Sequence, residues 1–460
     1  MGDVLLINPI VREWAAPNCV PSGLLYLSSV LKKEGHRVHI LDWNGHRYAQ
    51  SEIEEMIKTN AGAHDLIGVG GIVTTYGSTK LVTSTIKKYH PHVPVIVGGP
   101  LATSAPDLLL KNMDIDIVCI GEGELTIVDL VDNLENLSKV RGIAYRDGEE
   151  VNVNPPRELI RDLDTIPFPD YENLDTLEIY LKNPIGYLNK RKWVDGKSVS
   201  EIKSINIVSA RGCPFSCNFC YSKYLGLVYR TRSVKNVVDE MEYVIKKFDC
   251  EYIHFTDELS FSKQRIYEFC DELERRGLKV MWGGAFRIDI LDRESMEQMR
   301  DAGCRQLGCG IESFSPKMLK AMNKVADVKK VKENFVLAKK TMDNVDTSFI
   351  IGYPGETEET IQESIDACKS LGLAPNIIFF ATPYPKTVLY DVALERGLIR
   401  DEAKYLESLD EQGARPLINF TDLSTERLMR EKARWIKETN AVPDAPFLDA
   451  LNRMGLKIFD

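Results

Sequence analysis

The sequence predicts an α/β chain with two parallel-sheet domains and a small, mainly helical tail. Short apolar strands alternate with amphipathic helices over about the first 140 residues, and the alternation resumes at residue 205 after a proline-rich interruption. The strand runs are apolar throughout, as in parallel sheets covered on both faces. Polar and glycine residues gather at the carboxyl ends of these runs, where such sheets place their ligands.

In the first half, residues 4–8 form a strand, and 21–34 a helix with Leu24, Leu27, Val30 and Leu31 on one face. Strand 37–42 follows, then helix 51–59, opened by Ser51 as its cap. Strands at 66–70, 94–98 and 117–120 are separated by helices at 78–89 and 106–112, and helix 124–136 closes the series. Four segments end these strands: Asn8-Pro9, Gly70-Gly71-Ile72-Val73-Thr74-Thr75-Tyr76, Gly98-Gly99-Pro100 and Gly121-Glu122-Gly123-Glu124. Their glycines let a ligand approach the backbone.

Residues 141–153 read as a hairpin turning at Asp147-Gly148. Proline-rich, acidic sequence then runs to about residue 204 and reads as an ordered linker. From residue 205, strands at 205–209, 252–256, 280–285, 306–311, 346–351 and 376–381 alternate with helices at 236–248, 263–276, 293–302, 329–341 and 358–371. Six strands fall short of the eight of a closed barrel. The expected divisions are 1–140, 141–204, 205–400 and 401–460, the last with a helix near 425–438.

The chain has 460 residues, 44% hydrophobic and 27% charged, with a net charge of −10. This is an ordinary globular composition, and its sign does not suggest a nucleic-acid partner. Ten cysteines in such a length do not make a disulfide scaffold. Most sit alone in apolar runs, and Cys304 and Cys309 read as core thiols. The N-terminus lacks a basic leader pattern, and no apolar run reaches the ~18 residues that span a bilayer. Free thiolates need a reducing compartment, so a cytoplasmic location is expected.

Three cysteines depart from this pattern: Cys213, Cys217 and Cys220, in Arg211-Gly212-Cys213-Pro214-Phe215-Ser216-Cys217-Asn218-Phe219-Cys220-Tyr221. Thiolates this close can converge on one soft metal centre. Structural zinc and ordinary iron–sulfur clusters usually take four protein ligands. Three thiolates on a four-iron cluster leave one iron open, and an open metal position is where a substrate can react. The alternatives are a zinc knuckle lacking a ligand, or a disulfide pair with a spare thiol. No His or Cys follows at zinc spacing, and the next cysteine is Cys250.

The cysteine loop resembles the signature of the radical S-adenosylmethionine (radical SAM) superfamily. Gly303-Cys304, Gly310-Ile311-Glu312-Ser313, Gly352-Tyr353-Pro354-Gly355-Glu356-Thr357 and Pro383-Tyr384-Pro385 follow in that family's order. The first half resembles the cobalamin-binding Rossmann-like domain of the cobalamin-dependent members, through Gly98-Gly99-Pro100, Thr103, Pro106, Asp116 and Gly121–Glu124. The resemblance covers about residues 1–400 and implies a partial (β/α)6 barrel behind the cobalamin domain. The Asp-x-His-x-x-Gly motif that ligates cobalt in other cobalamin domains is missing, and His46 has the wrong spacing. In this subclass cobalt typically has no protein His, and the 70–76 loop is expected beneath it.

The resemblance implies that Cys213, Cys217 and Cys220 hold a [4Fe–4S] cluster. It places Phe219, Asp257, Glu258, Arg287, Glu312, Ser313, Gly352 and Pro354 at the S-adenosylmethionine site. Asp257 and Glu258 equally suit a helix cap, Arg287 a surface salt bridge, and Gly352 a tight turn. Cobalamin falls to Asn8, Pro9, Gly70, Gly71, Thr74, Thr75, Tyr76, Gly98, Gly99, Pro100, Gly121, Glu122, Gly123 and Glu124. Trp14, Trp43 and Tyr76 wall the corrin or pack in the core. The implied activity is methylation of an unactivated carbon in a small-molecule substrate, through a 5′-deoxyadenosyl radical and methylcobalamin. The electron comes from a donor such as flavodoxin or ferredoxin. Oxidative cyclisation or ring rearrangement without methyl transfer is the alternative, and a corrinoid carrier or sensor with a structural cluster is a third reading.

Overall fold

A computed structural model describes residues 1–226, 228–258, 262–409, 415–456 and 458–459, leaving aside the side chains of Lys190, Lys223 and Glu258. Two compact units emerge, one built on Met1–Asn183 and the other on Pro184–Lys223 and the strands and helices that follow up to Arg400.

The first unit is a seven-stranded sheet: β1 (Asp3–Asn8), β2 (Arg37–Asp42), β3 (Leu66–Gly70), β4 (Val95–Gly98), β5 (Ile117–Cys119), β6 (Ile143–Asp147) and β7 (Glu150–Val153). The spatial order is β2-β1-β3-β4-β5-β6-β7. The first five pair in parallel, and the hairpin β6–β7 adds antiparallel strands beyond β5. β1, β3, β4 and β5 are buried almost throughout, as their apolar runs require, whereas β7 is mostly exposed. In the 2-1-3-4-5 order the chain reverses direction across β1 and β3, and ligands of such sheets bind outside the carboxyl ends at that point.

Two local expectations change. Helix Gln50–Asn60 begins before Ser51 because the Glu52 carboxylate accepts the Ala49 N–H at 2.7 Å. The linker carries its own helix, Leu177–Lys182, and buries Tyr171, Leu174 and Tyr180.

The second unit is a curled sheet of six parallel strands in chain order: β8 (Ser204–Ile207), β9 (Tyr252–Glu258), β10 (Met281–Ala285), β11 (Cys304–Glu312), β12 (Val345–Ile351) and β13 (Ile377–Phe380). Among the described residues β13 does not pair with β8, so the α/β barrel stays open. Phe255, Phe269 and Trp282 join β9, helix Lys263–Arg275 and β10, with ring centroids 5.0 to 6.2 Å apart and near-perpendicular planes. The tail helix Thr425–Glu438 packs Trp435 against Phe349 of β12 at 5.1 Å, and a further helix, Ala445–Arg453, follows it.

Polar residues cluster at the amino ends of the barrel strands. The Tyr252 hydroxyl donates to Gln306 at 3.0 Å, and Gln306 and Asn376 both donate to Asp346. His254 stands 3.4 Å from the same hydroxyl, and burial pushes its imidazole down to about 4. Among the described residues no helix is long and apolar enough to cross a membrane.

Phe269 is fully buried at the centre of the aromatic trio. Replacing it with Ala should cost about 3–5 kcal/mol, read as a lower urea midpoint with little change in slope.

Candidate functional site

In the first unit the expected loops meet at the carboxyl edge of the sheet. Gly99 is in the left-handed region at φ 88°, and a β-carbon there would lie 2.7 Å from the Gly71 carbonyl oxygen. The close approach lets Leu101 donate its N–H to that oxygen at 3.2 Å. Gly121 donates to the Thr103 hydroxyl at 3.0 Å, joining the third loop to the second. Thr75 caps its own turn, accepting from the Ile72 N–H at 3.1 Å. Glu122 accepts from Ile160 at 2.7 Å, and Glu124 is buried as the first residue of helix Glu124–Asp132. Ile72 is exposed, whereas Tyr76 is buried with its hydroxyl unpartnered, and burial pushes that phenol up to about 12.

Asn8 belongs to a buried network that the sequence did not reveal. It donates to Asp42 at 2.7 Å, and Asp42 also accepts from the Gly45 N–H at 3.0 Å, the Tyr180 hydroxyl at 3.1 Å and the Thr176 hydroxyl. Asn44 completes it, donating to Tyr180 at 3.1 Å. Three donors meet Asp42 Oδ1 and Thr176 meets Oδ2, so each oxygen of the buried carboxylate has a partner. Trp43 is core, its indole donating to the Tyr48 carbonyl at 2.7 Å, while Trp14 is exposed beneath the Arg12 guanidinium. His46 pairs with Asp175 at 3.0 Å and stacks on Tyr48.

In the second unit the cysteine loop leaves β8 under tight control. Asp257 is half-buried at the end of β9 and accepts both the Ser209 N–H at 2.5 Å and its hydroxyl at 2.6 Å. Burial pushes the Asp257 carboxyl up, while these bonds pull it down. Its carboxylate is therefore committed to the loop's base. Two short strands missed in the sequence, Ala210–Arg211 and Arg230–Thr231, close the loop as an antiparallel pair. Gly212 sits at φ 79°, and a β-carbon there would lie 1.8 Å from the Val228 carbonyl oxygen.

The loop's far side is tied to the turn after helix Pro316–Ala321. Asn218 donates its N–H to the Met322 carbonyl at 2.8 Å, and Asn323 donates to the Ser216 carbonyl at 2.9 Å. Tyr221 and Tyr384 contact at 5.6 Å, joining the loop to the segment after β13. Cys213, Cys217, Phe219 and Cys220 are all half-buried. Cys220 lies 3.0 Å from the Ser222 hydroxyl. Burial pushes the Cys217 thiol up, and the nearby Lys324 ammonium opposes that rise.

Lys324 is the residue that sequence reasoning missed. It donates to the Gly310 carbonyl at 2.5 Å and pairs with Glu312 at 2.9 Å, both side chains nearly buried. Glu312 adopts φ 66°, a left-handed conformation costing an L residue roughly 1–2 kcal/mol. Such strain clusters where side-chain direction matters. Arg287 lies 4.0 Å over the Phe215 ring, its fork on Asp289 at 2.6 and 3.0 Å. Arg287, Asp289, Gly310, Ile311, Ser313 and Lys324 share one cleft. Ser313 accepts the Ser315 N–H at 3.1 Å and so shapes the turn after β11. Gly352 donates its N–H to Glu356, and Pro354 is half-buried in that turn. The Glu258 side chain lies outside the described residues. Cys304 and Cys309 are buried core thiols.

Among the described residues, only Asp3, His39 and His64 bring three metal-ligating atoms within 4.8 Å of one another.

The family model for the radical SAM superfamily matches residues 207–368, and that for the B12 binding domain matches residues 10–131. An uncharacterized methyltransferase of Pyrococcus horikoshii is 31% identical over 406 residues, 86% of this chain and 84% of its own. The anaerobic magnesium-protoporphyrin IX monomethyl ester cyclase of Rubrivivax gelatinosus is 29% identical over 420 residues, 87% of this chain and 72% of its own. The fold is similar to that of TsrM from Kitasatospora setae, a radical S-adenosylmethionine methyltransferase solved with cobalamin and a [4Fe–4S] cluster. The TM-score is 0.68 at 20% identity, over 86% of this chain and 76% of that one.

Burial pushes the Glu356 carboxyl up from 4.5 to about 8, against the opposing pull of the Gly352 and Tyr353 N–H groups. The folded chain thus holds a proton there that the unfolded chain releases. Stability from this group is full below pH 4.5 and falls as pH rises toward about 8. Glu356→Gln keeps an acceptor and abolishes the titration. Denaturant unfolding should show E356Q gaining stability relative to wild type across that window and levelling above it. Parallel curves would refute the buried protonated carboxyl.

Proposed function

Because the chain belongs to the radical SAM superfamily, in the group that also carries a B12-binding domain, we propose that it is a methyltransferase acting on a carbon of a small-molecule substrate. The observation that carries this reading is the Pyrococcus horikoshii methyltransferase, which aligns through both domains.

Cys213, Cys217 and Cys220 are the cluster ligands in this reading. Their Cys-x3-Cys-x2-Cys spacing suits a multi-iron core, and no His or Cys follows at zinc spacing. Three ligands leave one iron for the amino and carboxylate groups of S-adenosylmethionine. Lys324 favours the Cys217 thiolate over the thiol and places a positive charge beside the site. Arg287 and Ser313 line one cleft with Lys324, whose ammonium pairs with Glu312, and the Gly352–Pro354 turn is read as the contact to the adenosyl group. In the first unit, the interlocked loops 70–76, 98–100 and 121–124 seat the corrin at the carboxyl edge. The unpartnered Tyr76 hydroxyl is a donor available to it. None of these loops contains a histidine, so the chain offers cobalt no imidazole there. When bound, the cluster with S-adenosylmethionine supplies one-electron cleavage of the sulfonium, and cobalamin supplies methyl carriage.

A flavodoxin or ferredoxin delivers the electron, in a reducing cytoplasm. A second reading, oxidative cyclisation, is favoured by the Rubrivivax gelatinosus cyclase, which aligns over a similar span.

Incubation with S-adenosylmethionine labelled in its methyl group separates the two readings once a substrate is found. Label in the product supports methylation; 5′-deoxyadenosine without label transfer supports cyclisation. Each of Cys213→Ala, Cys217→Ala and Cys220→Ala should reduce cluster absorbance and S-adenosylmethionine cleavage to background while cobalamin binding survives. The complementary variant is Gly99→Val, whose side chain would collide with the Gly71 carbonyl. It should weaken cobalamin binding by at least about ten-fold, more than 1.4 kcal/mol, and leave iron content intact. Loss of iron in Gly99→Val would contradict the separate seating of the two groups.

A further inference from the structure

The amino edge of the first sheet, opposite the glycine loops, carries a second constellation. Side chains alternate across a strand, so Asp3 and Leu5 share a face of β1. Leu5 is level with His39 on β2, which places His39 on that face too. His64 follows the turn Ala61–Ala63 and precedes β3. Asp65 fixes that turn to β1 through two bonds of 2.8 Å: its N–H donates to the Asp3 carbonyl, and its carboxylate accepts the Asp3 N–H.

These restraints converge on one oxygen. Asp3 Oδ1 lies 2.9 Å from His64 Nδ1 and 3.5 Å from His39 Nε2. All three atoms fall within 4.8 Å of one another. Ligands about 2.0–2.1 Å from a tetrahedral ion sit about 3.3 Å apart, between the two observed separations. The other carboxylate oxygen is held by Arg37 at 2.8 Å, which orients the carboxylate and leaves Oδ1 facing the imidazoles. Asp3 and His64 are largely buried, while His39 is 59% exposed and gives access from solvent.

We propose that Asp3, His39 and His64 bind a zinc-class divalent cation, with water at the fourth position. Two imidazoles and one carboxylate suit zinc and the neighbouring first-row ions; magnesium and calcium prefer all-oxygen sets. The ion would staple β1, β2 and the turn before β3. The site is distinct from the corrin loops, lying a strand's length from them, about 17 Å.

The test uses the full chain with Cys213, Cys217 and Cys220 changed to Ala and the exposed Cys19 to Ser, so that accessible thiols do not compete. Equilibrium dialysis against Zn²⁺ near neutral pH should give about one bound equivalent, with a raised melting temperature, as for any ligand selective for the fold. His39→Gln should weaken binding by about ten-fold or more. Its side chain is exposed, so folding, checked by circular dichroism, should be unaffected. His64→Gln should do the same or more. X-ray absorption at the zinc edge should report nitrogen and oxygen neighbours only. Failure to bind an equivalent, sulfur in the zinc shell, or unchanged affinity in a folded His39→Gln variant would each overturn the proposal.

Discussion

The grip of Asp257 on Ser209 sets the geometry on which the second unit's chemistry depends. A parallel barrel delivers its loops at the carboxyl edge, but a loop is only as well placed as its first residue. Here one carboxylate takes both the N–H and the hydroxyl of that residue. Isolated, such a carboxylate would cost several kcal/mol; bonded twice, it becomes a rigid peg. Arg265 reinforces the peg by donating to the Ser209 carbonyl at 3.3 Å and the Arg232 carbonyl at 2.9 Å. Arg232 in turn donates to the Val208 carbonyl at 2.9 Å and pairs with the buried Glu240. The chain on both sides of the cysteines is thus held by charges that cannot leave without exposing an unpaired partner.

The first unit solves the same problem with the same device. Asp42, at the end of β2, is fully buried and collects donors from β1, from the turn that follows it and from the linker helix. One carboxylate therefore fixes Asn8 at the sheet's switch point and fastens residues 176–180 against it. In both units an acid at a strand end holds the backbone of neighbouring segments in place. The groups left for ligands are the ones these acids position.

This explains what the sequence disclosed. The cysteine spacing and the strand-end glycine loops are local patterns, so a candidate chemistry could be assigned to them from sequence, and the alternating apolar runs carried both sheets. The Asp42–Tyr180 pair spans 138 positions, and Lys324 lies over 100 positions beyond Cys217, so neither leaves a local pattern. The pair of two-residue strands that closes the cysteine loop is too short for periodicity to show. Ser51 looked like a cap because Ser commonly is one, but a Glu three residues past Ala49 captured the N-terminus instead. Asp257 reads from sequence as an S-adenosylmethionine contact or a helix cap, and its bonds to Ser209 could not be read there, because position at a strand end does not say what a carboxylate faces.

Glu312 shows where the two kinds of group meet. Its backbone is strained into the left-handed region, where the pairing of β11 with β12 shifts register between Gly310 and Glu312. The strain is offset by Lys324, which bonds both the Glu312 carboxylate and the Gly310 carbonyl two residues earlier. The same lysine is close enough to Cys217 to lower its thiol against burial. One ammonium group therefore couples the end of β11 to the cysteine loop, and removing it would leave a nearly buried carboxylate and a less ionised thiol together. The strained residue, the buried cation and the half-buried thiol form one electrostatic unit, which couples the cleft to the cysteine loop.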